Sequence, residues 1–76
     1  RNEIVKLVKK RTEEGKISVR NVRRSCIEEI KKLEKNSGLS QDESRRAQSK
    51  IQEITDENIK IIEEKSLKKE NEILND

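Results

Sequence analysis

The apolar and small residues of the first half of the chain recur at helical spacing without interruption: Ile4, Val8, Thr12, Gly15, Val19, Val22, Cys26, Ile30 and Leu33. Steps of three and four hold them on one face of a helix. Proline is absent, and Lys, Glu and Arg, all good helix formers, fill the other faces. The pattern predicts one long helix over about residues 2–35. Gly15 costs about 1 kcal/mol relative to Ala in such a place. With Thr12 it forms a narrow waist where another helix can come close.

The pattern stops at Asn36-Ser37-Gly38-Leu39-Ser40. Gly38 suits the left-handed position that ends a helix. Ser40-Gln41-Asp42-Glu43 reads as a capping box, with acids at the positive end of the next helix dipole. The second stripe runs Ala47, Ile51, Ile54, Asn58, Ile62, Ser66, Lys69 and Ile73. Asp56–Lys60 and Glu64–Lys68 have the favourable acid-first order one turn apart. A second helix over about 41–74 follows, and each helix is about 50 Å long at 1.5 Å per residue. Matched lengths and a short link imply an all-α fold, an antiparallel helical hairpin.

Composition limits what such a hairpin can be. Of 76 residues only 28% are hydrophobic and 46% are charged, a balance that disordered chains also show. The ordered stripes decide against disorder. With no His, imidazole catalysis and His metal sites are excluded; with no Phe, Trp or Tyr, so is base stacking on aromatic rings. No apolar run approaches a membrane span and no signal-peptide pattern is present. The chain opens at Arg1 rather than Met, the start expected of a fragment or a processed product.

Two helices cannot surround a core. The uncovered stripes require a further helix, from the rest of the protein or from a second copy. A second copy would give a homodimer resembling a four-helix bundle. Val8, Val19, Val22, Ile30, Ile51, Ile54 and Ile62 would line its groove, and the Gly15–Thr12 waist would be a point of close approach.

Charge is divided unevenly. Residues 1–36 carry 12 basic and 6 acidic side chains, net +6, whereas residues 37–76 carry 7 and 10, net −3. On an ideal wheel Lys9, Lys16, Arg20 and Arg23 fall within roughly 60° of each other, about 110° from the Val19–Val22–Cys26 stripe. Lys31 lies near the same line, Arg24 flanks it, and Ile27 is expected exposed on it. Arginine's planar fork binds phosphate oxygens in pairs, so one reading is a ribbon for a phosphate backbone. The commoner reading of such a run is a solvated face, some of its arginines paired with acids of the second helix.

Other chemistry is weakly supported. Cys26 lies on the stripe and reads as a small buried hydrophobe; the single thiol forms no internal disulfide, which fits a reducing compartment. Neighbouring carboxylates (Glu13–Glu14, Glu28–Glu29, Glu63–Glu64) point in different directions and serve solubility and pairing. No phosphate loop and no metal-ligand cluster is present, so neither an enzyme nor a cofactor is expected.

Several stretches together resemble one family. Val19-Arg20-Asn21-Val22-Arg23-Arg24, then Gly38-Leu39-Ser40, Asp42-Glu43-Ser44-Arg45-Arg46 and Ile51-Gln52-Glu53-Ile54-Thr55-Asp56, look like bacterial and organellar ribosome recycling factor. The opening Arg1-Asn2-Glu3-Ile4-Val5-Lys6-Leu7-Val8-Lys9 resembles the start of that family's long helix after its second domain. The resemblance implies the C-terminal portion of such a factor: the second and third helices of a three-helix bundle. The first bundle helix and an inserted β/α/β domain would lie outside this chain. It also implies binding to the large ribosomal subunit and, with elongation factor G and GTP hydrolysis, splitting of the post-termination ribosome, without covalent chemistry by the factor itself.

Arg1, Arg20 and Arg23, with Arg24 adjacent, match family arginines that touch ribosomal RNA, and Lys9 and Lys16 extend the same ridge. A factor of this kind works in the bacterial cytoplasm or in an organellar matrix or stroma. Ser66 departs from the family's larger apolar residue and implies a looser far end. The other class of reading is a structural coiled-coil or hairpin module that binds proteins through its stripe. Rising salt separates the two, since phosphate contacts weaken steeply and apolar ones do not.

Overall fold

A computed structural model describes residues 2–75. Two α-helices, α1 (Asn2–Asn36) and α2 (Gln41–Asn75), pack antiparallel along their whole length. The hairpin measures 56 × 16 × 9 Å, with a radius of gyration of 17.3 Å. A compact chain of this length would have a radius near ~11 Å. Its 6153 Å² of accessible surface likewise exceeds the ~4,800 Å² expected of a compact monomer of this mass. The hairpin is elongated and leaves large apolar side chains open to solvent.

The turn forms as its residues dictate. Gly38 takes φ +75°, the left-handed region that side chains disfavour. The Leu33 carbonyl accepts from the Ser37 N–H (2.9 Å) and the Leu39 N–H (3.3 Å), which closes the C-terminus of α1. At the start of α2 the Glu43 N–H donates to Ser40 Oγ, and the Ser40 hydroxyl donates to Glu43 Oε1, both at 3.1 Å. Asp42 and Glu43 stand in the first turn.

Packing departs from the stripes in one systematic way. The residues of α1 screened by α2 are Val5, Val8, Thr12, Gly15, Lys16, Val19, Arg23, Ile27, Ile30 and Glu34. Those of α2 are Ser44, Ala47, Gln48, Ile51, Thr55, Ile59, Ile62, Ser66, Glu70 and Ile73. Apart from Gly15 and Ala47, both sets repeat every eleven residues, the spacing of helices that supercoil right-handedly. Each helix is rolled by roughly 50° from the centre of its apolar stripe. Val22 is therefore 63% exposed, and Ile54, Asn58 and Lys69, expected at the contact, face outward. Cys26, expected buried, is exposed; Ile27, expected exposed, is half-buried.

No hydrophobic side chain among the described residues is fully buried; only Ser44 (1% exposed) and Thr55 (5%) are. Close approach of two backbones selects small residues whose hydroxyls find partners nearby. Thr55 Oγ1 donates to the Ile51 carbonyl at 2.7 Å, and Ser44 Oγ accepts from Gln48 Nε2 at 3.1 Å. The waist is real but α2 fills it. Gly15 faces Ile62, and the Thr12 and Ser66 hydroxyls are hydrogen-bonded at 2.8 Å. Ser66 thus ties the far end of the hairpin rather than loosening it. Asp56–Lys60 and Glu64–Lys68 are not among the ion pairs of the described residues; the intrahelical pairs are three apart, such as Glu13–Lys16 and Glu29–Lys32.

The roll leaves one long apolar groove. Val19, Val22 and Cys26 of α1 and Ile51, Ile54 and Asn58 of α2 line about 370 Å³ of it.

Candidate nucleic-acid interface

The flank opposite the groove is polar, and the basic ridge of α1 lies along it. Pairing positions equidistant from the link brings each ridge residue to a particular part of α2. Lys9 Nζ lies 3.8 Å from Glu70 Oε1, a carboxylate oxygen that is buried without a hydrogen bond. Lys16 Nζ lies 3.0 Å from Glu63 Oε1 and 3.5 Å from Glu13 Oε1, with 16% of its side chain exposed. The hydrogen bond to Glu63, helped by the nearby Glu13 charge, holds the Lys16 ammonium above its ordinary pKa of 10.5. Arg23 is half-buried; its Nη1 donates to Gln52 Oε1 at 3.1 Å.

The remaining candidates are disposed differently. Arg20 is exposed and lines, with Arg23, Gln52, Thr55, Asp56 and Ile59, a notch of about 280 Å³. Arg24 is exposed, with one long hydrogen bond to its helical neighbour Asn21 (3.5 Å). Lys31 is exposed and outside the ion pairs of the described residues. Arg1 lies outside the described residues.

The expected single ridge is therefore two rows. In an inner row, Lys16 and Arg23 are drawn against α2 by the roll of α1, while Lys9 stays exposed and reaches Glu70 only with its ammonium. An outer row, Arg20, Arg24 and Lys31, is exposed, with Arg20 also bordering the notch toward α2, and is extended by exposed Lys6, Lys10 and Lys35. Sequence reasoning passed over Lys6, Lys10 and Lys35 because its wheel was centred on the stripe rather than on the helix–helix contact. It also passed over Gln52 and Asp56 as functional positions. The hairpin's own register, read from the link outward, places them opposite Arg20 and Arg23.

Chemically the outer row offers fixed positive charge and, at two positions, planar guanidinium forks for phosphate oxygens. Among the described residues no group of three or more His, Cys, Asp or Glu is placed to hold a metal ion, and no helix is long and apolar enough to cross a membrane.

A family model described as Ribosome recycling factor matches residues 1–74. The chain is 50% identical over 74 residues to the ribosome-recycling factor of Symbiobacterium thermophilum, covering 97% of this chain and 40% of that protein. Identity to the ribosome-recycling factor of Natranaerobius thermophilus is 53% over 73 residues, and to that of Synechocystis 47% over 73 residues; each covers 96% of this chain and 40% of the relative. The chain thus spans about two fifths of the length of these relatives. No solved structure matches it.

Proposed function

Because the chain belongs to the ribosome recycling factor family, we propose that it is the C-terminal hairpin of a three-helix-bundle domain in a translation factor that disassembles the post-termination ribosome. The match over residues 1–74 carries this reading. In it, the first bundle helix and an inserted β/α/β domain come from elsewhere in the protein. The roll of α1 and α2 supports the missing helix. In a bundle of three, each apolar stripe points at the shared axis and each neighbour touches one flank of it, which is the arrangement here. The groove beside Val22, Cys26 and Ile54 is then the seat of the first helix.

The polar flank binds ribosomal RNA of the large subunit. Arg20, Arg23 and Arg24 make the main phosphate contacts, Arg1 extends them, and Lys9 and Lys16 add charge from the seam. Elongation factor G, with GTP hydrolysis, supplies the work of splitting through parts of the factor outside this chain. The factor contributes position and charge and makes or breaks no covalent bond.

Two measurements test the reading. Large-subunit binding by the full-length factor should weaken steeply with rising salt, and a double Arg20→Ala, Arg24→Ala variant should weaken it and flatten that dependence. The 76-residue chain alone should retain weak, salt-sensitive RNA binding yet fail to split ribosomes. Near-normal splitting by the isolated chain would refute the division of labour. Binding indifferent to salt would instead favour a protein-binding hairpin.

A further inference from the structure

Arg23 occupies an unusual place in the hairpin. Its stem lies across the seam, so the residue lines both the apolar groove, beside Val22, Cys26 and Ile54, and the polar notch, beside Arg20 and Gln52. A long aliphatic stem on apolar surface with its charge at the polar edge is how arginine ordinarily reconciles its two halves. The head is then held by a chain of hydrogen bonds across the hairpin. Arg23 Nη1 donates to Gln52 Oε1 (3.1 Å), and Gln52 Nε2 donates to Asp56 Oδ1 (2.9 Å).

The second bond decides the first. A glutamine amide has an oxygen that accepts and a nitrogen that only donates. Facing a guanidinium, only the oxygen makes a bond. Asp56 accepts from the amide nitrogen, and a flipped amide would set two acceptors together at Asp56 and two donors together at Arg23. Asp56 therefore fixes the amide, and the amide fixes the guanidinium.

We infer that Gln52 and Asp56 are positioning residues that pre-orient the Arg23 guanidinium for a phosphate of the large-subunit RNA. The inference rests on the proposed function, which supplies the phosphate. Gln52 engages one of the five N–H donors of the fork, which leaves the others for a bidentate contact. A neutral amide restrains the arginine without cancelling its charge, as a carboxylate in the same place would. Ordering a long side chain before binding removes part of the entropic penalty of the contact.

The experiment is a double-substitution cycle in the full-length factor, with purified large ribosomal subunits at fixed salt. Gln52 is exposed, so Gln52→Leu is tolerated by the hairpin, and thermal melting verifies it. Gln52→Leu should weaken binding about two- to tenfold in the unsubstituted background and have no effect on top of Arg23→Ala. Asp56→Ala should act in the same direction, and Asp56→Asn, which retains an acceptor oxygen, should restore most of the loss.

A second readout needs no ribosome. The side-chain ¹⁵N relaxation of Arg23 should report a more mobile guanidinium in Gln52→Leu. An equal loss from Gln52→Leu with and without Arg23 would overturn the inference and make Gln52 merely structural. So would an Arg23 that is equally ordered in both proteins. If Arg23→Ala weakens binding while Gln52→Leu does not, the positioning role fails alone. If Arg23→Ala itself leaves binding intact, the phosphate contact at Arg23 fails and takes the positioning role with it.

Discussion

The two flanks of the hairpin are built from the same pair of helices and end in opposite conditions. The polar flank closes on itself: Lys9 meets Glu70, Lys16 meets Glu63, and Arg23 is held through Gln52 by Asp56. The apolar flank does not close. Ile4, Val22, Leu33, Ile54 and Ile61 are each 46–63% exposed. Charged side chains are long and reach across a helix–helix seam, whereas the branched aliphatic ones are short and need a third surface. A hairpin can pair charges across its seam but cannot cover its apolar stripe.

The sharpest way to break this contrast is to charge the groove. Ile54→Asp should destabilise the full-length factor by about 3–5 kcal/mol, the size of an unpaired buried charge, as read by urea unfolding. In the isolated 76-residue chain a second copy should cover the groove, and the same substitution should shift a dimer to a monomer in sedimentation. Burying one such side chain is worth about 1.5–3 kcal/mol, so the row as a whole favours cover. A well-folded helical monomer of the unsubstituted chain at high concentration would show that the groove needs none.

A smaller effect separates the two basic rows. In subunit binding by the full-length factor, Arg24→Ala should cost about 1–3 kcal/mol, the loss of a charge-assisted hydrogen bond. Lys16→Ala should do clearly less, since two carboxylates already neutralise it. Lys65→Ala, on exposed α2 surface, should do little. Equal losses from Arg24 and Lys65 would remove any special role for the outer row.

The two glycines compare the seam with the link. A Cβ at Gly15 would lie 3.9 Å from Ile62 Cδ1, an ordinary contact. Gly15→Ala should therefore raise unfolding stability by about 1 kcal/mol through helix propensity. Gly38 has open space but a φ of +75°, so Gly38→Ala should lower stability by about 1 kcal/mol. Thermal melts of the isolated chain distinguish the signs. A destabilising Gly15→Ala would mean that the waist admits no methyl group.

The smallest expected effect belongs to pH. Because Glu63 and Glu13 raise the Lys16 pKa in the folded state, its contribution is fully present below 10.5 and is lost as pH rises through the higher folded value. Lys16→Met should flatten the alkaline fall in melting temperature. Val22→Ala, on the other flank, should leave its shape unchanged.

Much of this hairpin is legible in the chain because it depends on neighbours within a few residues. The two helices, the left-handed Gly38 and the Ser40–Glu43 cap all rest on interactions over one turn, and each was expected where it stands. The resemblance carried by Val19–Arg24 and Ile51–Asp56 likewise needed only order along the chain. The facing of the helices did not. A wheel centred on the apolar stripe treats the nearest helix as the whole environment, and so placed Val22 and Cys26 inside and Ile27 outside.

The tertiary structure decided that facing. Contact with a single neighbour takes only one side of a stripe, and backbones come closest where residues are small, at Gly15, Ser44 and Thr55. That roll turned one ridge into two rows, bound Arg23 to Gln52, and left the apolar residues at the edge of a groove. Local sequence fixes which residues a helix carries; the number and position of its neighbours fix which of them are used for packing and which stay exposed.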